Sequence, residues 1–288
     1  MTISQEISSS AAARTLEDAI ARLQSPQEGA QSVVDIVRFG PQAIPALRGL
    51  LFGRDRSGLH QARCRAIDAL AALKAYDVLD EFLRRERPIG DPTEELGEDV
   101  VVSAAARALA RRHDKASFAL LEGMARRRPL AGILAGLGSY KRLRTIPIFV
   151  KALAEDELRF TVEAVLRSFG SRARPHLLAA ACDPAPDVCE SDFRKRRSVL
   201  GLLGEMRKGS LNWTCLKPLM ASSDLETAIL AAGLGLKFGS EAERQDAAHA
   251  LRTLRPQADW LRRMQIDQYL QRFEAKGVRG RQSIVRRA

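Results

Sequence analysis

The chain has 288 residues, 45% of them hydrophobic but only 5% aromatic, with 46 Lys+Arg against 35 Asp+Glu. That length admits about two globular domains, and an apolar fraction made mostly of Leu, Ala, Val and Ile suits close helix–helix packing. No apolar run approaches the roughly 18 residues of a membrane helix, and the opening MTISQEISSSAAAR has no secretory h-region, so a cytoplasmic protein without a membrane span is expected.

Residues 1–14 are polar and Ser-rich and read as disordered. Thr15, with Asp18 three positions on, starts a helix to about Leu23, and 30–39 form a second. PQAIPALRGLLF (41–52) carries apolar residues at 44, 47, 50 and 51, a helical stripe. GRDRSG (53–58) turns the chain into HQARCRAIDALAAL (60–73). The pairing then repeats: 76–85 with 97–112, 115–125 with 128–138, 142–154 with 157–169, 171–182 with 192–203, and 212–221 with 224–238. Helices over 241–254 and 257–274 follow, and Trp260, Met264 and Phe273 are expected to pack as the seam of the last one. No stretch shows period-two alternation. Two acidic, Pro-containing stretches, RPIGDPTEELGED (87–99) and CDPAPDVCESD (182–192), read as rim loops.

A branched apolar residue followed four positions later by Gly recurs at Ile36–Gly40, Leu134–Gly138, Leu166–Gly170 and Leu200–Gly204. Looser copies close at Lys74, His113 and Gly239, so the closing positions are separated by 34, 39, 25, 32, 34 and 35 residues. Such a period marks an array of helical pairs. Proline enters several first helices (Pro45, Pro147, Pro175, Pro218), Arg precedes Ala/Leu-rich second helices, and Gly closes most of them. These features resemble the HEAT-repeat family, in its short bacterial variants. The resemblance implies an all-α, right-handed α-solenoid of about six helical pairs over residues 15–275, with capping helices at both ends. The basic segment 276–288 is then expected to be a flexible tail.

Chemistry-bearing motifs are absent. There is no Walker sequence or GxGxxG after a strand, and no HExxH or GxSxG. The glycines of GLGLKFG (233–239) read as close-packing or helix-ending positions. Cys64, Cys182, Cys189 and Cys215 are scattered, without zinc-ligand spacing, and read as buried thiols of a reducing compartment. Neither cofactor nor metal is expected, and an enzyme is the weaker expectation.

The charge is carried by 37 Arg against 9 Lys. In HEAT-like arrays the second helices line the concave face, so the resemblance implies a partial row there. The candidate partner-binding residues are Arg63, Arg65, Arg127, Arg128, Arg159, Arg194, Lys195, Arg196 and Arg197. Two arrangements remain open. The arginines either leave a basic groove or bridge acids of neighbouring turns, such as Asp55, Asp156 and Asp187, as a ladder holding repeats in register. A repeat surface of this kind holds other macromolecules, so the expected function is a non-enzymatic scaffold whose partner is a protein. The alternative is a nucleic-acid-binding or DNA-repair protein similar to the HEAT-like alkylpurine DNA glycosylases, with weak, salt-sensitive binding. No trio of residues matches the glycosylases' catalytic arrangement, and no ligand motif matches the bilin-lyase relatives of short HEAT repeats.

Overall fold

A computed structural model describes residues 15–53, 59–85, 90–183, 189–206 and 213–285, with the side chains of the last helix as far as 275. All regular structure among these residues is helical. The helices are α1 (Leu16–Arg22), α2 (Gly29–Arg38), α3 (Ile44–Phe52), α4 (Gln61–Ala72), α5 (Tyr76–Arg84), α6 (Pro92–Ala110), α7 (Lys115–Arg127) and α8 (Ala131–Ser139). They continue as α9 (Ile146–Ala152), α10 (Asp156–Phe169), α11 (Arg174–Ala181), α12 (Glu190–Glu205), α13 (Trp213–Leu216), α14 (Leu225–Phe238), α15 (Glu241–Leu254) and α16 (Trp260–Val285).

The chain forms two compact units, Met1–Lys141 and Arg142–Ala288. In the first, α2, α4, α6 and α8 pack successively on one another, while α3, α5 and α7 pair with the helices that follow them. In the second, α10, α12 and α14 form the equivalent row, with α9 and α11 as first helices and α15 and α16 packed on α14. Each unit is therefore an all-α solenoid segment, in which every pair buries its apolar stripe on its neighbours.

The sequence explains where the helices stop. Of the closing positions, Gly40 (φ 71°), Lys74 (φ 59°), His113 (φ 54°) and Gly170 (φ 60°) adopt positive φ, the helix-ending geometry at C′. At the fourth repeat the turn falls three residues later, on Lys141 (φ 54°). Short 3₁₀ turns at Gly40–Ala43, Leu143–Thr145 and Gly170–Ala173 then lead into α3, α9 and α11, each with its proline in the first turn, where a missing N–H costs nothing.

Glycine permits a close helix crossing. A Cβ on Gly132 of α8 would lie 2.2 Å from the Ser103 carbonyl oxygen and 2.4 Å from Ser103 Cα of α6. Gly233 similarly faces the Tyr269 ring and Gly235 the Trp213 ring, the close-packing roles expected of them.

Several elements differ from the sequence reading. The 87–99 stretch is not a loop throughout: α6 begins at Pro92, because Asp91 caps it by accepting hydrogen bonds from the Thr93 and Glu94 N–H groups. Its glutamates then lie in the first turns, where the macrodipole favours them. Likewise α12 begins at Glu190, inside the second expected loop. The helical backbone of α16 runs to Val285, across much of the expected tail. Trp260 and Met264 do not share a seam with Phe273: they are 75% and 42% exposed, while Ile266 and Leu270 are buried. Cys182, at the C-cap of α11, is joined to Cys215 of α13 as a disulfide (Cα–Cα 5.3 Å), so these two are not the separate thiols expected. Cys189 is exposed and Cys64 half-buried.

Candidate functional site

The candidate arginines lie mostly on the second helices, and the structure gives most of them work inside the fold. Arg63 of α4 is buried. Its Nε donates to the Leu51 carbonyl at the end of α3 (3.0 Å), and its Nη1 to Glu98 Oε2 of α6 (2.6 Å). Arg65 donates to the Leu23 and Ser25 carbonyls beyond α1 (2.6 and 2.7 Å). Arg194 donates to the Ala154 carbonyl beyond α9 (2.8 Å), and Arg196 to the Ala181 carbonyl at the end of α11 (2.7 Å). One physical rule covers these contacts apart from that to Ser25, whose carbonyl already accepts the Gly29 N–H at the start of α2. The last carbonyls of a helix lack intrahelical partners and carry partial negative charge, and a planar guanidinium reaches them from the adjacent helix. This accounts for Arg194 and Arg196 after the start of α12, where its own dipole would disfavour cations: they serve the ends of other helices.

A second set of contacts steps from repeat to repeat. Arg128 bridges Glu95 (2.6 Å) and Asp99 (2.9 Å). Arg197 of α12 grips Asp224, the N-cap of α14, through Nε (2.8 Å) and Nη2, and takes Glu190 through Nη1 (3.0 Å). Arg167 of α10 holds Glu205 of α12 through Nε and Nη2 (2.7 and 2.9 Å) and also takes Glu163. Hydrogen bonding to Glu205 and Asp224 raises the pKa values of Arg167 and Arg197, respectively, above the ordinary arginine value. Burial alone would push the Asp224 carboxyl up, yet hydrogen bonds from Arg197 and Thr227 outweigh it and hold the pKa at about 2. Arg159 makes a local pair with Asp156 (3.3 Å), which Arg194 also approaches (3.6 Å). Arg127 and Lys195 make no ion pair with the described residues. Of the acids foreseen as ladder partners, Asp156 serves, while Asp55 and Asp187 lie outside the described residues. Glu98 and Asp224 were not foreseen, although Glu98 follows Arg63 by 35 positions, one repeat.

In the second unit these side chains line a groove of about 560 Å³ along α10, α12 and α14. Its charged walls alternate. Asp156, Glu163, Glu190, Glu205 and Glu226 stand against Arg159, Arg167, Arg194 and Arg197, so the local balance is slightly acidic in a chain of net charge +11. Phe160 of α10 is 82% exposed. It falls on the stripe of Asp156, Glu163 and Arg167 by i, i+4, i+7 and i+11 spacing, an aromatic side chain left in water beside the charged groove. No helix among the described residues is long and apolar enough to cross a membrane.

No family model and no curated protein matches the chain. Among solved structures, it is similar to the complex of CpcE and CpcF of phycocyanin lyase from Nostoc sp. PCC7120. The identity is 18% and the TM-score 0.37, over 83% of this chain and 94% of that one.

Proposed function

We propose that this is a HEAT-like repeat protein that holds a protein partner on the second-helix face of its second unit, with no chemistry of its own. One observation carries the reading: the arginines of that face are neutralised in place by alternating carboxylates, and Phe160 stands exposed beside them, on the α10 stripe that carries Asp156, Glu163 and Arg167. A phosphate backbone needs cations free to replace its counterions. A protein interface instead uses mixed charge for register, around a few aromatic anchors. Arg159, Arg194 and Arg197 then orient the partner through their exposed edges, with Arg167, while Arg63, Arg65 and Arg196 support the fold. Lys195 of α12 is an accessory contact, while Arg127 and Arg128 belong to the first unit and not to this face.

The test is capture of partners from the native cell lysate after nuclease treatment, with the wild type and with Phe160→Asp. Proteins retained after nuclease and lost with Phe160→Asp support the reading. Capture that disappears with nuclease, together with a gel shift of duplex DNA at low salt, would establish the nucleic-acid alternative instead.

A further inference from the structure

The outer face of α16 carries three exposed apolar side chains close together, away from the groove. Trp260, Leu261 and Met264 are 75%, 60% and 42% exposed. At 100° per residue they lie opposite Ile266, Tyr269 and Phe273, the side of the helix that packs on the array. The helix thus has two faces of different use, one turned to the core and one bare.

The bare face has a seven-residue register. Leu261, Gln268 and Ala275 occupy one line and Met264 and Gln271 the other, without a charge among them. In the sequence Val278, Gln282 and Val285 keep the same spacing, and the backbone stays helical to Val285. At 26 residues α16 is also longer than the next longest described helix, α6, at 19. The flanks carry opposite charge: Asp267 and Glu274 follow one side of the stripe, and Arg272 the other. Arg272 stands five positions after Asp267. In parallel two-stranded coiled coils that offset joins the flanking position of one helix to the opposite flank of its partner. An unrelated partner would have no need of this match within one helix, whereas a second copy of the same helix uses it twice, once on each side of a two-fold axis.

We infer that the outer face of α16 is a seam for a second copy of this chain, with the two α16 helices parallel. Trp260, Leu261 and Met264 form its apolar end, and Asp267 of each copy meets Arg272 of the other. Asp267 also accepts both hydrogen bonds of Arg255 (2.7 and 3.0 Å), and its carboxylate has lone pairs left for a second guanidinium. The glutamines within the seam, Gln268, Gln271 and Gln282, make the pairing concentration-dependent, since polar seam positions cost stability while fixing register.

Sedimentation equilibrium of the full chain tests this from low micromolar to near-millimolar concentration. The expected result is a rise from 31.7 kDa towards twice that mass, with Met264→Lys holding the protein at one copy. Asp267→Arg and Arg272→Asp should each weaken association several-fold while leaving the helical circular dichroism unchanged. An equimolar mixture of these two variants should associate again, and so should the chain carrying both changes. A single-copy mass at every concentration would overturn the inference. So would a dimer indifferent to Met264→Lys, or a failure of the mixture to associate when each variant is folded.

Discussion

Gly132→Ala is the substitution for which the helix crossing makes the sharpest demand. The new Cβ would lie 2.2 Å from the Ser103 carbonyl oxygen and 2.4 Å from Ser103 Cα, well inside the roughly 3.3 Å at which carbon and oxygen ordinarily meet. Both obstacles are backbone, so no rotamer relieves the clash, and α6 and α8 must move apart. Gly136, one turn on, is also tight, at 2.9 Å from the Ala106 oxygen. Overpacking of this kind costs about 1–3 kcal/mol, against a helix-propensity gain from Gly to Ala of about 0.5–1 kcal/mol. Gly123 of α7 is the control, because a Cβ there meets nothing within 4 Å; Gly123→Ala should show the gain alone. Urea denaturation of both variants should therefore separate them by the overpacking cost of about 1–3 kcal/mol, with Gly132→Ala the less stable. Equal stability of the two variants would refute the close crossing.

Acid should weaken the step between α12 and α14. Asp224 titrates at about 2 in the fold rather than at its ordinary 3.8, so its stabilisation is complete above pH 4 and is lost as pH falls towards 2. A midpoint shift worth at most about 2 kcal/mol is expected over that window, and it should be absent in Asp224→Asn, which starts lower at neutral pH. Cys182 and Cys215 close a loop with a sequence separation of 33, for which chain entropy gives about 3–4 kcal/mol. A dithiol reductant should lower the thermal midpoint by a corresponding amount, whereas rapid alkylation of all four cysteines without reductant would contradict the bond. Lys74 adopts a positive φ and its side chain makes no hydrogen bond or ion pair with the described residues, so Lys74→Gly should hold stability level or raise it by up to about 1 kcal/mol in thermal melts; a marked loss would show that the side chain matters.

The repeats were legible in the sequence because their ends are local. An apolar residue and a helix-closing residue four positions later record a turn of the chain, and Gly40, Lys74, His113 and Gly170 make that turn. The ladder was half legible. Arginine at the head of a second helix is visible, but its partners are carbonyls and carboxylates brought close only by stacking, such as Ala181 and Asp224. The start of α6 is hidden in the sequence because Pro92 among glycines looks like a loop signal, whereas after an Asp N-cap it opens a helix. The seam of α16 was misread for a geometric reason: Trp260 and Met264 are 40° apart around the axis, but Phe273 points nearly the opposite way. Phe160 carried no signal at all, since its meaning lies in an exposure that only packing determines.

The central claim is that the arginine row is spent on holding the repeats together, and a double-mutant cycle on Arg63 and Glu98 tests it most directly. The two side chains are 8% and 11% exposed and 2.6 Å apart. Removing either one by Arg63→Met or Glu98→Leu leaves a buried charge behind and should cost about 3–5 kcal/mol, while the double variant should recover much of that loss. The account predicts a coupling energy of about 2 kcal/mol or more by urea denaturation. Independent effects of the two changes, with stability undiminished in Arg63→Met, would contradict it.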